Sequence, residues 1–171
     1  MSDAATVLVV MGVSGVGKTT LAKAIAERLG WPFQEGDDLH PAANIAKMTA
    51  GQPLTDADRL PWLDAIGAWI DGQQRRNQSG VITCSALKRA YRDRLANGRP
   101  GVTFVFIRLD RAAIAARMAA RKGHLMPPSL LASQFADLEP PGPDEPVIIV
   151  DGAGSIAAQV EAVVSRATSV R

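Results

Sequence analysis

The sequence predicts an α/β fold: a mostly parallel five-stranded sheet with helices on both faces. Three observations carry this. Short apolar runs rich in β-branched residues recur along the chain, and stretches with helical spacing of apolar residues separate them. The first run, residues 6–11 (TVLVVM), is continuously apolar, as a strand buried on both faces should be. A glycine-rich turn then joins that run to a helix. The 171 residues suit one domain, long enough to bury one substantial core.

After the glycine-rich turn, residues 19–29 predict a helix, with Leu21, Ile25 and Leu29 at four-residue spacing and Gly30 as its stop. Residues 31–34 give a weak second strand. Residues 40–78 read as mostly helical. Within them Asp56 or Thr55 can cap a helix that sets Trp62, Leu63, Ile66, Trp69 and Ile70 on one face. That stripe reads as core, not as a stacking platform. Residues 81–84 form a third strand, and Ser85 is placed to cap the next helix, which Asn97-Gly98 ends. Residues 102–109 form the fourth strand. Residues 111–121 form a helix with Ile114 and Met118 inward. A break at 122–124 precedes a helix over 128–138, with proline at a tolerated first-turn position. Residues 139–146 hold four prolines and form a linker. Residues 147–150 are the fifth strand, and a last helix starts near Ser155.

Composition is that of a soluble globular protein, 47% hydrophobic and 21% charged. The net charge of +2, from 19 Lys and Arg against 17 Asp and Glu, is a poor footprint for nucleic acid. The charge is unevenly spread: residues 88–122 carry ten basic and two acidic side chains, residues 35–71 seven acidic and two basic. This pattern fits either a solvated surface or a cleft with one cationic and one carboxylate wall, and charge alone does not choose. The single cysteine, Cys84, rules out an intramolecular disulfide and lies in an apolar run, so it reads as packing. No basic region precedes the N-terminal apolar run, and no stretch approaches the roughly 18 apolar residues of a membrane span. A cytoplasmic enzyme, without a membrane partner, is expected.

Residues 12–19 (GVSGVGKT) match the pattern G-x-x-x-x-G-K-[ST] in full, between a strand and a helix. The glycines Gly12, Gly15 and Gly17 let the backbone curl so that successive N–H groups, including those of Ser14 and Val16, point at phosphate oxygens. The following helix, from Lys18 through Thr20, adds its positive N-terminal end. Lys18 brings a full charge to the β- and γ-phosphates of ATP, and Thr19 a hydroxyl ligand for Mg²⁺. The loop alone does not distinguish a kinase from other nucleotide hydrolases. Strand three ends in Thr83-Cys84-Ser85 and not in a Walker B aspartate, and there is no N-K-x-D base-recognition motif.

Residues 33–40 (FQEGDDLH) follow strand two, where the ends of adjacent strands line the ligand crevice of a doubly wound sheet. Asp37, with Glu35 beside it, is placed to face the γ-phosphate, as a proton acceptor for an attacking hydroxyl or as a water-mediated magnesium ligand. Lys88 and Arg92, four apart with Tyr91 beside them, would share one helix face, as would Arg117 and Arg121 before the break. For each pair a solvated face is the default. A lid arginine would neutralise charge developing on the transferred group.

These residues resemble the gluconokinase family. The resemblance runs through GVSGVGKT (12–19), GDDLHP (36–41), Lys47-Met48, Gly51, Pro53-Leu54, Asp56, DR-x-PWL (58–63), CSALK (84–88), Tyr91-Arg92-Asp93, Gly123-His124, Met126-Pro127 and Ser133-Gln134-Phe135. It implies the three-layer α/β/α P-loop kinase fold shared with shikimate and nucleoside-monophosphate kinases, strand order 2-3-1-4-5. It also implies one domain over 1–171, a helical substrate-binding insertion at about 38–78 and a lid at about 121–138. ATP and Mg²⁺ would be the cofactors, D-gluconate the acceptor at its 6-hydroxyl, and the enzyme a homodimer. By the same resemblance Asp37 is the acceptor-side carboxylate and Lys18 and Arg121 act in catalysis. His40, Arg59, Lys88 and Arg92 contact substrate. Apart from the resemblance, position in the chain puts Arg117 beside the nucleotide and Glu35 within reach of the metal through water. Glu35 stands where many members carry aspartate, and Lys122 where arginine is frequent. A kinase of the same fold for another small acceptor such as shikimate, and a non-catalytic nucleotide-binding regulator, are the alternatives.

Overall fold

The computed structural model describes residues 5–120 and 128–169. Its five strands form one parallel sheet. β1 (Val7–Met11) lies at the centre, between β3 (Gly80–Thr83) and β4 (Val102–Arg108). β2 (Phe33–Gln34) and β5 (Val147–Asp151) form the edges, so the order is 2-3-1-4-5 as expected. Val7 registers with both Gly80 and Val102, so the central strands start level and finish along one edge. Every loop with candidate chemistry leaves that carboxyl edge.

β1 shows why the sheet needs cover on both faces. All five of its residues are buried, and successive side chains point to opposite faces. Leu8 and Val10 join a core with α1 (Lys18–Leu29), α5 (Arg111–Ala120), α6 (Pro128–Asp137) and α7 (Ile156–Ser169). Val7, Val9 and Met11 join a second core with α3 (Asp56–Arg75) and α4 (Arg89–Ala96). Trp62, Leu63, Ile66 and Ile70 of α3 are buried there, and Trp69 packs at its margin. Among the described residues no helix is long and apolar enough to cross a membrane.

Thr55 is the cap of α3: its hydroxyl accepts from the Asp58 backbone N–H at 3.1 Å, and the Asp58 carboxylate accepts from the Thr55 N–H at 2.9 Å, a reciprocal capping box. The short α2 (Ala42–Thr49) is fastened to this turn by Lys47, which donates to Asp58 at 2.7 Å. The expected Ser85 cap does not form. α4 begins four residues later, with Lys88 at its N-cap, because Ser85 is held along the glycine-rich loop, its carbonyl accepting from the Gly12 N–H at 3.3 Å. The first turn of α4 is capped from a distance: the Glu139 carboxylate accepts from the Arg89 N–H at 2.8 Å.

The uneven charge pattern resolves mostly into pairs between elements. Lys88 reaches Asp56, Arg94 reaches Asp64 and Arg99 reaches Asp71, tying the segment around α4 to α3. Such half-exposed pairs contribute little stability each, roughly 0–1 kcal/mol. Their consequence is that these cations do not form a cleft wall.

Candidate active site

The glycine-rich loop, residues 12–17, bridges β1 and α1. Gly12, Gly15 and Gly17 hold positive φ of 145°, 84° and 101°, a backbone region that side chains rarely tolerate. Lys18 closes the loop on itself: its ammonium donates to the carbonyls of Gly12 at 2.9 Å and Val13 at 3.1 Å. Burial pulls the Lys18 pKa below its ordinary value, opposed by Asp37, Cys84 and Glu35. The Ser14 N–H points to the mouth of the loop and donates to the Gln134 side-chain oxygen of α6 at 2.6 Å.

Glu35 lies between two hydroxyls. Thr19 donates to one of its oxygens at 2.5 Å and Thr83, at the end of β3, to the other at 2.5 Å. The extra methylene of glutamate therefore still lets the carboxylate reach Thr19. Thr83 also accepts from the Gly36 N–H at 2.8 Å. Here the backbone approaches so closely that a Cβ on Gly36 would stand 1.7 Å from the Thr83 carbonyl oxygen. Only glycine lets the turn at Gly36–Leu39 lie against β3, and that turn aims Asp37 and His40 inward.

Asp37 and Lys18 line the same cleft, with His40, Arg59 and Trp62 deeper in it. The Asp37 side chain keeps 70% of its surface open, yet surrounding protein displaces enough water to raise its carboxyl pKa. Glu35 and Asp38 push the same way and Lys18 opposes them. His40 is buried and stacks on Trp62, ring centroids 4.1 Å apart and 15° from parallel. The Trp62 indole N–H donates to the Gly36 carbonyl at 2.8 Å. Trp62 is thus core on one side and a platform for His40 on the other, which the core reading of its stripe missed. Burial and then the Arg59 charge lower the His40 pKa to about 4. Arg59 donates to the Tyr91 hydroxyl at 2.8 Å and to Asp137 of α6 at 3.1 Å. Tyr91 in turn donates to Asp56.

Lys18, Asp37, His40 and Arg59 are brought together; Lys88 and Arg92 are not. Lys88 is held by Asp56 at 3.0 Å, with its ammonium 5.7 Å from the centre of the Tyr91 ring. Arg92 is 1% exposed and its fork is fully engaged. It donates to both carboxylate oxygens of Glu145 and to the carbonyls of Ala86, Leu87 and Glu139. A guanidinium has five N–H donors, so none is left for a substrate in this arrangement. Arg117 joins the two sides of a groove of about 450 Å³ next to Val16, Gly17 and Thr20. It donates to the Gly152 carbonyl at 2.7 Å and the Val16 carbonyl at 3.4 Å. Arg121 and Lys122 lie outside the described residues. Cys84 is buried, and desolvation pushes its thiol up to about 12, so it remains protonated and packs. Sequence reasoning assigned no site role to Thr83, Asn44, Tyr91 or Gln134. The S-Q-F run marked Gln134 as notable without saying that it would meet Ser14.

A nucleotide-binding loop whose lysine shares a cleft with a carboxylate, at the carboxyl edge of a 2-3-1-4-5 sheet, is the arrangement of a P-loop phosphotransferase. Residues 7–141 match the family described as AAA domain. The chain is 57% identical to a gluconokinase of Gluconobacter oxydans over 145 residues, 85% of this chain and 82% of that protein. The crystal structure of a gluconokinase from Sinorhizobium meliloti superposes with a TM-score of 0.85 at 44% identity, covering 99% of this chain and 95% of that one. Shikimate kinase from Aquifex aeolicus shares the fold alone, with a TM-score of 0.67 at 16% identity over 96% and 99% of the two chains. The chain belongs to the gluconokinase family.

Proposed function

We propose that this enzyme transfers the γ-phosphoryl group of ATP to the 6-hydroxyl of D-gluconate, giving 6-phospho-D-gluconate and ADP. The observation that carries the reading is the identity with gluconokinases over 85% of the chain, in a molecule whose cleft holds Lys18 and Asp37 together. Lys18 leaves its two loop carbonyls for the β- and γ-phosphate oxygens, where its charge follows the transferring group. Asp37, its carboxyl pKa raised, accepts the proton of the attacking hydroxyl. His40 and Arg59 hold the polyhydroxy acid. Arg121, on a lid over about 121–138, neutralises charge on the phosphoryl group, and Arg117 borders the nucleotide groove.

The residues present suit Mg²⁺. The Thr19 hydroxyl has one hydrogen, and Glu35 accepts it, which leaves the oxygen lone pairs for a cation. Thr19 would hold the ion directly and Glu35 through water. The ion would supply charge neutralisation between the β- and γ-phosphates.

Closure of a lid over this cleft would exclude water from the transferring group. The enzyme acts as a homodimer, a state that sedimentation checks.

The test is coupled ADP release with ATP and Mg²⁺, adding gluconate, shikimate, glycerate, glucose and a nucleoside monophosphate in turn. Turnover with gluconate is expected to exceed the others by at least about a hundredfold, since a site built to bond hydroxyls rejects molecules that leave its groups unpaired. Faster turnover of another acceptor would keep the kinase and discard the substrate. ATP binding without acceptor-dependent turnover would point to a nucleotide-binding regulator.

A further inference from the structure

Asn44 of α2 is 3% exposed and has no part in the chemistry above. Its side-chain nitrogen donates to the Asp58 backbone carbonyl at 2.8 Å and lies 3.1 Å from His40 Nδ1. A carbonyl oxygen only accepts, so the Asp58 contact fixes which end of the carboxamide faces this way: the NH₂ end. The second hydrogen of that NH₂ group then meets Nδ1, which must carry a lone pair and no proton. A neutral imidazole with a bare Nδ1 has its proton on Nε2.

Nε2 stands 3.9 Å from the Asp37 carboxylate. That is too long for a direct hydrogen bond, but an oxygen about 2.8 Å from each would fit between them. Such an oxygen would accept from Nε2–H and, if it carries its own hydrogen, donate to Asp37. A hydroxyl meets both requirements; a carboxylate or phosphate oxygen has no hydrogen for Asp37.

We propose that Asn44 is a positioning residue that locks His40 as a neutral Nε2–H donor, so that His40 and Asp37 together select a hydroxyl of the acceptor. The inference rests on the reading of this cleft as a polyhydroxy-acid site. The groups against Nδ1 and against the ring faces favour the neutral form. Asn44 offers only a donor to Nδ1, Arg59 and Trp62 of α3 contribute a like charge and an apolar face, and burial removes water. Asp37 is the one opposing charge, on the Nε2 side. With Asn44 in place, a proton on Nδ1 would set N–H against N–H.

The test is long-range ¹H–¹⁵N NMR of the histidine rings across pH, on the intact enzyme without substrate. Two histidines are present, and His40→Gln assigns the signals. The expected result is His40 in the Nε2–H tautomer, unprotonated until pH approaches about 4. An Nδ1–H tautomer of the wild-type His40 ring, or its protonation near 6.5, would overturn the proposal. In Asn44→Asp the carboxylate can only accept, so His40 should be charged at pH 7. In Asn44→Leu both tautomers should appear, and the gluconate KM should rise about three- to tenfold, the loss of one neutral hydrogen bond, with the ATP KM unchanged. Rings that titrate as in the wild type in both variants would overturn the lock. Adding gluconate should shift the His40 Nε2 resonance. If gluconate turns over without that shift, the hydroxyl selection is wrong; if another acceptor turns over and shifts it, the lock stands and only the substrate changes.

Discussion

The nucleotide side and the acceptor side of the cleft are built in opposite ways. The phosphate loop is local: Gly12 to Thr19 are consecutive, and Lys18 bonds to residues five and six positions before it. The acceptor side is assembled from distant segments. Arg59 is bonded to Tyr91 and to Asp137, 32 and 78 residues away. A local device can be recognised by spacing. On the acceptor side, which cation faces the substrate depends on which carboxylates reach the others first. Arg59 opens on the cleft while Arg92, also an arginine, is fully bonded to carbonyls and Glu145.

The largest effects should come from the residues that touch the reacting groups. Lys18→Ala should lower kcat about a thousandfold or more, measured by gluconate-dependent ADP release. Asp37→Asn should lower kcat by about 10²–10⁴, with ATP affinity by calorimetry within about twofold of wild type. Weakened ATP binding with kcat retained would move Asp37 to the nucleotide side.

Arg92→Leu should strip Glu145 of its buried partner. Breaking such a pair costs about 3–5 kcal/mol, to be read from urea unfolding, while the gluconate KM of the folded enzyme stays within about twofold. Arg59→Met should do the reverse in kind and raise that KM. A stable Arg92→Leu with a raised KM would contradict the assignment of Arg92 to structure.

A smaller effect follows from His40. Unfolded, it takes a proton near pH 6.5; folded, only near pH 4. Between these values the unfolded chain binds the extra proton. The contribution is therefore complete above about pH 6.5 and lost as pH falls towards 4, by at most about 3 kcal/mol. Urea midpoints across this range, compared with His40→Gln, isolate it; equal pH dependence in both would contradict a buried neutral ring. Lys88→Met, which removes an exposed pair with Asp56, should change stability by about 1 kcal/mol or less and leave the gluconate KM unchanged.

The strands, the helices and the phosphate loop were legible because hydrophobic periodicity and local glycine geometry write themselves into adjacent positions; the sheet order came only with the family resemblance. Position 36 was readable as part of a motif. Its physical reason, a backbone approach that would put a Cβ 1.7 Å from the Thr83 oxygen, belongs to two segments 47 residues apart. Ser85 looked like a helix cap because the type and spacing were right, but its backbone was already committed to Gly12. Trp62 read as core because periodicity reports burial and not what an indole edge and face do once buried. The acidic and basic runs left two readings open, and the choice between them lay in pairs such as Arg94 with Asp64 that no run of sequence displays.

The most direct test of the account is the product itself. Incubation with ATP, Mg²⁺ and ¹³C-labelled gluconate, followed by ³¹P and ¹³C NMR, should show one phosphomonoester coupled to carbon 6, absent with Lys18→Ala and strongly reduced with Asp37→Asn. A phosphoryl group on another carbon, or ADP formed without any phosphorylated gluconate, would contradict it.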